Sequence, residues 1–507
     1  MPKKFKTDLN FAHYVIQHNK RHPDKLAFRD GTQDLSYRDL IDRIPRIAQG
    51  LLASGLAPGD HVIICMEDCV DWPCVFLGCL YAGIVPTPLS HALGSHLFYQ
   101  LADFVGCKTI LAGNNFKNPS NNLVPVITRD NLVNFYTEFD GTVDCYLPDS
   151  DFVAFMHVSS GSTGLPKVAM HRHQTLFAML SISPKTSYGM TEHSVILSIP
   201  KLSWNFGLHN SITYVTGLGA TAILMPEAPI VSVIFQYINQ YRPTIVVTSP
   251  SIIRKLVGKP ADKFSLPDSI QHFHSSGEDL PRALYDKFLS RFGLKLNCCI
   301  GMMETASNYA ANPDWEHQPG TIGKPLPGCK IQIRDHEIYV CSPAAAVGYY
   351  RDPEKTSQTF VNGWVRTGDR AHWNEQGNLV FDGRVDDVFK VNDLVVNPIE
   401  IEAVILQNFT VDQVMIYRGI NLKGVAEVCA CIVPTDQFDL NEFNSWLVSR
   451  LMTHQIPKKI TIASVLPETV TNKKNRKSVD LLGQTASLVN ASVTIVSASA
   501  DYIFSHS

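Results

Sequence analysis

The 507-residue chain has 45% hydrophobic and 18% charged residues, a globular composition that excludes disorder, collagen and coiled coil. At about 150 residues per domain, this length predicts two or three domains. Lys and Arg number 44 against 47 Asp and Glu, a formal charge of −3 that provides no broad positive field for nucleic acid or an anionic membrane. The twelve cysteines form no Cys-x-x-Cys pair and the basic N-terminus lacks an apolar signal core, so we expect reduced thiols and a cytoplasmic location.

Two apolar stretches are candidates for membrane-spanning segments. Residues 74–86 are too short and suit a buried helix. Residues 481–500 carry no charge but are rich in Ser, Thr, Asn and Gln, which makes insertion into hydrocarbon costly. We therefore expect a docked strand or a loose tail there rather than an anchor.

The first elements alternate between helix and strand. Residues 11–55 predict a helix, a β-hairpin turning at Asp30-Gly31-Thr32, and a second helix. Short apolar runs follow between helical stretches, at residues 61–65, 106–111, 220–224 and 243–247. Such alternation is typical of parallel sheets covered by helices, so the region up to residue 384 is predicted to be one large α/β domain.

From Ile331 onward the pattern changes to short strands separated by Gly and Asn turns. A linker is predicted at residues 384–387, which combine Gly and charge without apolar periodicity. A helix at 398–406, strands at 413–417 and 425–433 and a helix at 440–451 then predict a small α+β domain. We place this C-terminal domain at residues 385–480, followed by a tail, 481–507, of unassigned role.

The strongest local pattern is the segment Val158-Ser159-Ser160-Gly161-Ser162-Thr163-Gly164-Leu165-Pro166-Lys167, which follows an apolar strand at 152–156. Glycines let backbone N–H groups approach phosphate oxygens, hydroxyls donate further hydrogen bonds, and an ammonium offsets negative charge. The segment lacks the spacing of a Walker loop, and a flexible surface turn is the alternative interpretation.

This loop closely resembles the phosphate loop of the adenylate-forming superfamily, which includes acyl-CoA and aryl-CoA ligases, luciferases and carrier-loading adenylation domains. Further segments similar to the family's motifs occur in the family's order, at residues 275–281, 300–304, 323–325, 348–350, 363–369, 383–387 and 466–473. Together they cover nearly all of the chain up to Lys477. The resemblance implies a large α/β N-terminal domain and a small α+β C-terminal domain joined by a hinge.

The resemblance also implies that an acid carboxylate attacks the α-phosphate of ATP and expels pyrophosphate. It assigns Mg²⁺ to Glu304, the ribose hydroxyls to Asp369 near Arg384, and catalysis to Glu304 together with Lys473, which bridges carboxylate and α-phosphate. Without the resemblance, Lys473 is an ordinary residue of a solvated basic patch. The full set of implied ATP-binding residues is Ser159, Ser160, Gly161, Ser162, Thr163, Gly164, Lys167, Ser276, Gly277, Glu278, Gly301, Met302, Met303, Asp369 and Arg384.

In this superfamily the C-terminal domain rotates between adenylation and thioester formation, and the matching hinge residue is Asp386. Lys390 and Asp393 match the acceptor tunnel, where the family normally has glycine in place of Asp393. A carboxylate there adds bulk and negative charge in the path of a thiol, unless the loop simply holds another conformation. Two milder departures are Met303 beside the magnesium glutamate and Asn472 before the catalytic lysine.

The segment 199–210 is similar to the benzoate and anthranilate CoA ligase branch. It supplies the candidate acid-binding residues Ser203, Trp204, Asn205, Phe206 and Gly207. Aromatic side chains suit a flat ring, and Asn205 suits an ortho hydroxyl or amine on it. Ordinary core packing of Trp204 and Phe206 is the alternative. No acidic side chain is present to hold an α-ammonium group, so an aromatic acid is preferred over an amino acid.

Three functional hypotheses follow. The first is an ATP- and Mg²⁺-dependent ligase joining an aromatic acid to CoA through an aryl-adenylate. The second passes the adenylate to a carrier protein or an amine, and Asp393 favours an amine because amines need no pantetheine tunnel. The third is a catalytically weak binding protein, against which Lys167, Glu304, Asp369, Arg384 and Lys473 all argue. A homodimer is left open, and neither a nucleic-acid nor a membrane partner is expected.

Overall fold

The computed structural model describes residues 10–117, 124–159, 166–260, 264–313, 315–316, 318–391, 394–421, 425–467 and 476, and the backbone of residues 494–497. The helices in chain order are α1 (Phe11–Asn19), α2 (Tyr37–Ala53), α3 (Asp71–Ala82), α4 (Ser95–Phe104), α5 (Arg129–Glu138), α6 (His173–Ile182), α7 (Pro184–Tyr188), α8 (Asn205–Leu208), α9 (Tyr214–Leu218), α10 (Val231–Tyr241), α11 (Pro250–Val257), α12 (Arg282–Phe292), α13 (Pro353–Thr359), α14 (Pro398–Ile405) and α15 (Leu440–Arg450).

The strands in chain order are β1 (Leu26–Arg29), β2 (Asp34–Ser36), β3 (His61–Cys65), β4 (Val85–Pro88), β5 (Thr109–Ala112), β6 (Val126–Thr128), β7 (Val153–Val158), β8 (Val168–Arg172), β9 (Val195–Ser198), β10 (Thr221–Ile223), β11 (Ile245–Thr248), β12 (His272–Ser275), β13 (Leu296–Gly301), β14 (Asn308–Asn312), β15 (Lys324–Pro325), β16 (Lys330–Arg334), β17 (Glu337–Cys341), β18 (Gly348–Tyr349), β19 (Phe360–Val361), β20 (Trp364–Trp373), β21 (Leu379–Arg384), β22 (Phe389–Val391), β23 (Leu394–Val396), β24 (Val411–Ile420), β25 (Ala426–Pro434), β26 (Lys459–Ile462) and β27 (Thr494–Ser497).

The predicted helix–hairpin–helix start is confirmed as α1, β1–β2 and α2. Ser36 ends the hairpin and caps α2: its hydroxyl accepts from the Asp39 amide at 3.1 Å, while Asp39 Oδ2 accepts from the Ser36 amide at 3.0 Å. This reciprocal pair satisfies N–H groups that a helix start leaves without intrahelical partners. The apolar stretch predicted as a buried helix is α3, whose side chains are almost all buried.

Among the described residues, four sheets form the part of the chain up to residue 384. Nine strands run in the order β15-β14-β13-β12-β11-β9-β10-β1-β2, parallel from β13 through β1. A parallel sheet, β4-β3-β5-β6, and a small antiparallel sheet, β18-β8-β7, accompany it. The fourth sheet is antiparallel, with the order β16-β17-β20-β19 and with β21 paired to β20. The near-continuous burial of β3, β5 and β11 is what helices covering both faces of a parallel sheet produce.

The C-terminal part has its own sheet, β24-β25-β26-β27, and its own apolar core, which includes Ile416, Ile432 and Phe443. The predicted fold class, a large α/β domain with a smaller α+β domain, is confirmed. Strand β27 lies within the region assigned to the tail and pairs antiparallel with β26, as the docked-strand alternative predicted. Among the described residues, no helix combines the length and apolar character needed to cross a membrane.

The predicted linker at 384–387 is shifted by one residue in the structure. Arg384 is the last residue of β21 and pairs with Asp369 of β20, so the 3₁₀ turn Val385–Asp387 and Val388 separate β21 from β22. Charge and glycine around residue 384 suggested irregular backbone, but the ladder partner on β20 extends the strand. The domain limits and the hinge role of Asp386 stay predictions.

Candidate active site

The predicted phosphate loop connects two antiparallel strands, β7 and β8. At its base the Ser159 amide donates to the Lys167 carbonyl at 2.8 Å, and the Lys167 amide donates to Ser159 Oγ at 3.0 Å. These bonds close the loop and place both ends of the motif side by side. Ser160, Gly161, Ser162, Thr163 and Gly164 lie outside the described residues.

Three ionisable or polar groups meet beside this loop. The Tyr349 hydroxyl donates to Glu304 Oε1 at 2.5 Å, and the Lys167 Nζ lies 5.2 Å from the centre of the Tyr349 ring. Burial raises the pKa of the Tyr349 phenol, and the adjoining Glu304 carboxylate raises it further, so Tyr349 is a protonated donor at neutral pH. Burial lowers the pKa of Lys167, and Glu304 opposes that shift.

Glu304 is held by a turn that needs specific backbone geometry. It lies in the 3₁₀ turn Met303–Thr305 and is 6% exposed, and its carbonyl accepts from the Ala346 amide at 2.8 Å. Gly301 precedes the turn, where a Cβ would stand 2.7 Å from the Ser307 carbonyl oxygen, so no larger residue fits without movement. Ala306 ends the turn with φ of 54°, a left-handed conformation uncommon for a residue other than glycine.

Met302 and Met303, the remaining predicted ATP-binding residues of the 300–304 motif, lie at the Glu304 turn. Met302 is extended and its amide lies 3.4 Å from Thr305 Oγ1. Met303 packs against the small apolar cluster that includes Tyr349 and Ala346. Among the described residues, no three His, Cys, Asp or Glu side chains converge as a metal site. Glu304 therefore offers one carboxylate, which suits Mg²⁺ because that ion usually takes one or two carboxylates together with phosphate oxygens.

A second charged pair links neighbouring strands. Arg384 Nη1 donates to Asp369 Oδ1 at 2.6 Å, and the Tyr309 hydroxyl lies 3.4 Å from Asp369 Oδ2. Asp369 is buried, whereas the Arg384 side chain is 48% exposed. The Asp369 charge is the main cause that raises the pKa of Arg384. The pair presents a fixed carboxylate with an exposed guanidinium beside it, which suits hydroxyl and phosphate recognition.

The predicted ATP-binding residues Ser276, Gly277 and Glu278 follow β12. The Ser276 hydroxyl donates to the Cys299 carbonyl at 2.8 Å, and Ser251 donates to Glu278 Oε1 at 2.8 Å. Gly277 between them has φ of 90°, which favours glycine. These contacts tie the segment to β13 and α11 at the ends of parallel strands, where ligands bind in open α/β sheets.

The predicted acid-binding segment is joined to the Glu304 turn. Asn205 begins α8, and its Nδ2 donates to the Ala306 carbonyl at 3.1 Å, two residues beyond Glu304. Its buried Oδ1 has no hydrogen-bond partner among the described residues. Gly207 packs so closely that a Cβ would stand 2.1 Å from the Lys201 carbonyl oxygen. Acid segment and nucleotide motif are therefore anchored to one turn, 302–306.

The aromatic members of this segment differ in their surroundings. Phe206 is partly buried and packs against the main N-terminal core, in line with the core-packing alternative. Trp204 and Ser203 are half-buried. The C-terminal end of α8 continues as a longer helix, since residues His209–Thr213 form a π turn leading into α9. π turns are frequent at functional sites.

Near the predicted hinge, Arg476 donates to Asp387 Oδ2 at 3.2 Å and contacts Glu402 and the Ile416 carbonyl. Lys390 is exposed on β22. Lys473, Asn472 and Asp393 lie outside the described residues. Sequence reasoning missed Tyr349 and Tyr309 as partners of the two key carboxylates. Tyr349 stands within the quoted 348–350 motif, but only the folded chain places it against Glu304, 45 residues away.

Comparisons with known proteins show the family to which the chain belongs. A family model described as AMP-binding enzyme matches residues 15–350. The chain is 28% identical to a 4-hydroxybenzoate–CoA/benzoate–CoA ligase of Rhodopseudomonas palustris, covering 89% of this chain and 90% of the relative. It is 27% identical to a benzoate–CoA ligase of Thauera aromatica, with coverages of 89% and 92%. A benzoate CoA ligase from Burkholderia xenovorans LB400 superimposes with a TM-score of 0.85 at 27% identity, over 92% of this chain and 99% of that one.

Proposed function

Because the chain belongs to the AMP-binding enzyme family, we propose that it activates an aromatic carboxylic acid with ATP and then transfers the acyl group to CoA. Family membership also confirms the resemblance found in the ordered motifs. The observation that carries the proposal is the turn 302–306, which holds Glu304 beside Lys167 and Tyr349 and accepts the Asn205 hydrogen bond. Contacts from one turn to residues assigned to phosphate and to acid support this proposal, because the attack requires both partners to be held close together.

In the first half-reaction a carboxylate oxygen of the acid forms a bond to the α-phosphorus of ATP, and the bond to pyrophosphate breaks. Lys167 offsets negative charge at the phosphates, and Tyr349 fixes the orientation of Glu304 by its hydrogen bond. Mg²⁺ bound by Glu304 would neutralise phosphate charge. Asp369 would accept from ribose hydroxyls, with Arg384 holding that carboxylate in place. Lys473 is the proposed bridge between carboxylate and α-phosphate.

In the second half-reaction the CoA thiol attacks the acyl carbon and AMP leaves. We propose that the C-terminal domain turns about Asp386 between the two steps, within the short turn Val385–Asp387. Asp393 stands where a glycine is usual in the family, and its negative charge favours the alternative in which an amine receives the acyl group, because an amine needs no pantetheine tunnel. The names of the relatives, benzoate– and hydroxybenzoate–CoA ligases, support the CoA acceptor.

The experiment is pyrophosphate release from ATP and Mg²⁺ with benzoates, hydroxybenzoates, aminobenzoates, medium-chain fatty acids and amino acids, each with and without CoA. We expect release with an aromatic acid, acceleration by CoA, and a thioester in the products. Glu304→Gln should abolish release, whereas Glu375→Gln, at an exposed site, should not.

Other outcomes separate the alternatives. If CoA does not change the rate of pyrophosphate release, the acceptor would be a carrier protein or an amine rather than CoA. In that case Asp393→Gly should create CoA-dependent thioester formation. Absence of pyrophosphate release with every acid would refute acid activation and favour the hypothesis of a catalytically weak binding protein.

A further inference from the structure

Buried histidines lie on β7 and β8, the strands that precede and follow the phosphate loop in sequence, and in the π turn. His157 on β7 and His209 in the π turn have ring centres 5.4 Å apart, and both rings lie edge-on to Phe155 at 5.5 and 5.6 Å. His171 on β8 stacks on the other side of this cluster, 4.9 Å from Phe155. We call His157 and His209 the histidine pair.

The histidine pair is uncharged. Burial lowers the pKa of both imidazoles well below the ordinary value, and the neighbouring histidines lower it further. Each ring at neutral pH therefore carries one N–H and one lone pair.

The pair also has unused hydrogen-bonding capacity. His157 is 1% exposed and His209 is 2% exposed, yet the Nε2 atom of each has no partner among the described residues. His209 uses only Nδ1, in a 2.9 Å contact with Thr213 Oγ1. Asn210, next in the chain, likewise leaves a buried Oδ1 without a partner in the described part of the chain. Buried polar atoms are rarely left unpaired in folded proteins, so several in one place indicate a polar ligand group.

The position of the pair relates it to the proposed acid site. His157 stands two residues before Ser159, so both share one face of the strand, about 7 Å apart. His209 lies one helical turn beyond Asn205, on the same side of the helix. An aromatic ring bound beside Asn205 would therefore present one edge to the pair.

We propose that His157 and His209 are specificity-determining residues that hydrogen-bond a hydroxyl group on the meta or para position of the aromatic acid. This inference rests on the proposed function. A phenolic hydroxyl both donates and accepts, so it can pair with either tautomer of a neutral imidazole. A second carboxylate would require a charged imidazole in a buried site, and an unsubstituted ring would leave both Nε2 atoms unpaired.

The test compares kcat/KM of pyrophosphate release for 3- and 4-hydroxybenzoate with that for the methylbenzoates of the same shape. The unmodified enzyme should prefer one hydroxy acid by about tenfold or more. His157→Leu and His209→Leu should each reduce that preference to about threefold or less while keeping activity on methylbenzoates. His209→Gln should retain part of the preference because its amide can still pair with a hydroxyl. His61→Gln, outside the cluster, should leave it unchanged.

Equal use of hydroxy and methyl acids by the unmodified enzyme would overturn the inference and leave the proposed function intact, even if neither leucine variant folds. An unchanged preference in both folded leucine variants would also overturn it. Failure of every aromatic acid to release pyrophosphate would instead refute the proposed function, and the inference with it.

Discussion

Tyr349→Phe is the sharpest test of the Glu304 site. The substitution keeps the ring beside Lys167 and removes only the hydroxyl that donates to Glu304. A hydrogen bond to a charged, buried group contributes about 1.5–3 kcal/mol. At about 1.4 kcal/mol per factor of ten, loss of this bond should lower kcat/KM for ATP by about 10- to 150-fold if Glu304 acts only when correctly oriented.

The assay is steady-state pyrophosphate release at varied ATP and Mg²⁺, with a saturating aromatic acid. Tyr350→Phe is the matched control, because the Tyr350 ring packs edge-on to His61 at 5.2 Å while its hydroxyl makes no hydrogen bond to a described residue. The control should stay within about twofold of the unmodified enzyme. Activity of Tyr349→Phe within the same limit, in a variant as stable as the control, would refute the role given to this bond.

Three further predictions concern charge. Asp369→Asn removes the ion pair with Arg384 and should raise KM for ATP by about tenfold or more, with Asp382→Asn as the control; an unchanged KM would contradict the ribose assignment. Lys473→Ala should lower pyrophosphate release by at least about 100-fold while Lys474→Ala does not, and equal effects would point to a general basic patch. Burial raises the pKa of Asp68 to about 6, above the roughly 3.9 of an unfolded chain. The folded protein therefore holds an extra proton, and the free energy of unfolding should fall as pH rises from about 4 to 6, by up to about 3 kcal/mol. Urea titrations should show this slope disappear in Asp68→Asn, and a slope of opposite sign would contradict it.

Sequence patterns predicted those elements that are determined by interactions between residues close in sequence. Ser36 and Asp39 cap α2 within four residues of sequence, and the apolar run around Cys74 indicates a buried helix without knowledge of its partners. Boundaries were less predictable when a neighbouring strand decides them. Arg384 looks like linker in isolation, but its pairing with Asp369 makes it the end of β21.

The same distinction applies to the site. The resemblance to the family's motifs assigned roles to Glu304 and Asp369, which lie in a 3₁₀ turn and in β20, and these roles stay predictions. Their partners Tyr349 and Tyr309 come from strands 45 and 60 residues away, and no local pattern marks such contacts. The alternation of Phe155 and His157 along β7, continued by Ser159 just beyond it, is a sequence pattern that places a buried imidazole on the same face as the first residue of the loop.

The π turn at His209–Thr213 amounts to one surplus residue inserted into an otherwise α-helical run from Asn205 to Leu218. Since each residue advances a helix by about 100°, this insertion shifts the phase of the first half relative to the second. The second half is fixed by the core, where Tyr214 and Val215 are buried and the Tyr214 hydroxyl meets Ser307 at 3.1 Å. The insertion therefore sets the phase of the first half independently of those core contacts, and removing one residue of the π turn would rotate Asn205 by about 100° away from the Ala306 carbonyl to which it donates.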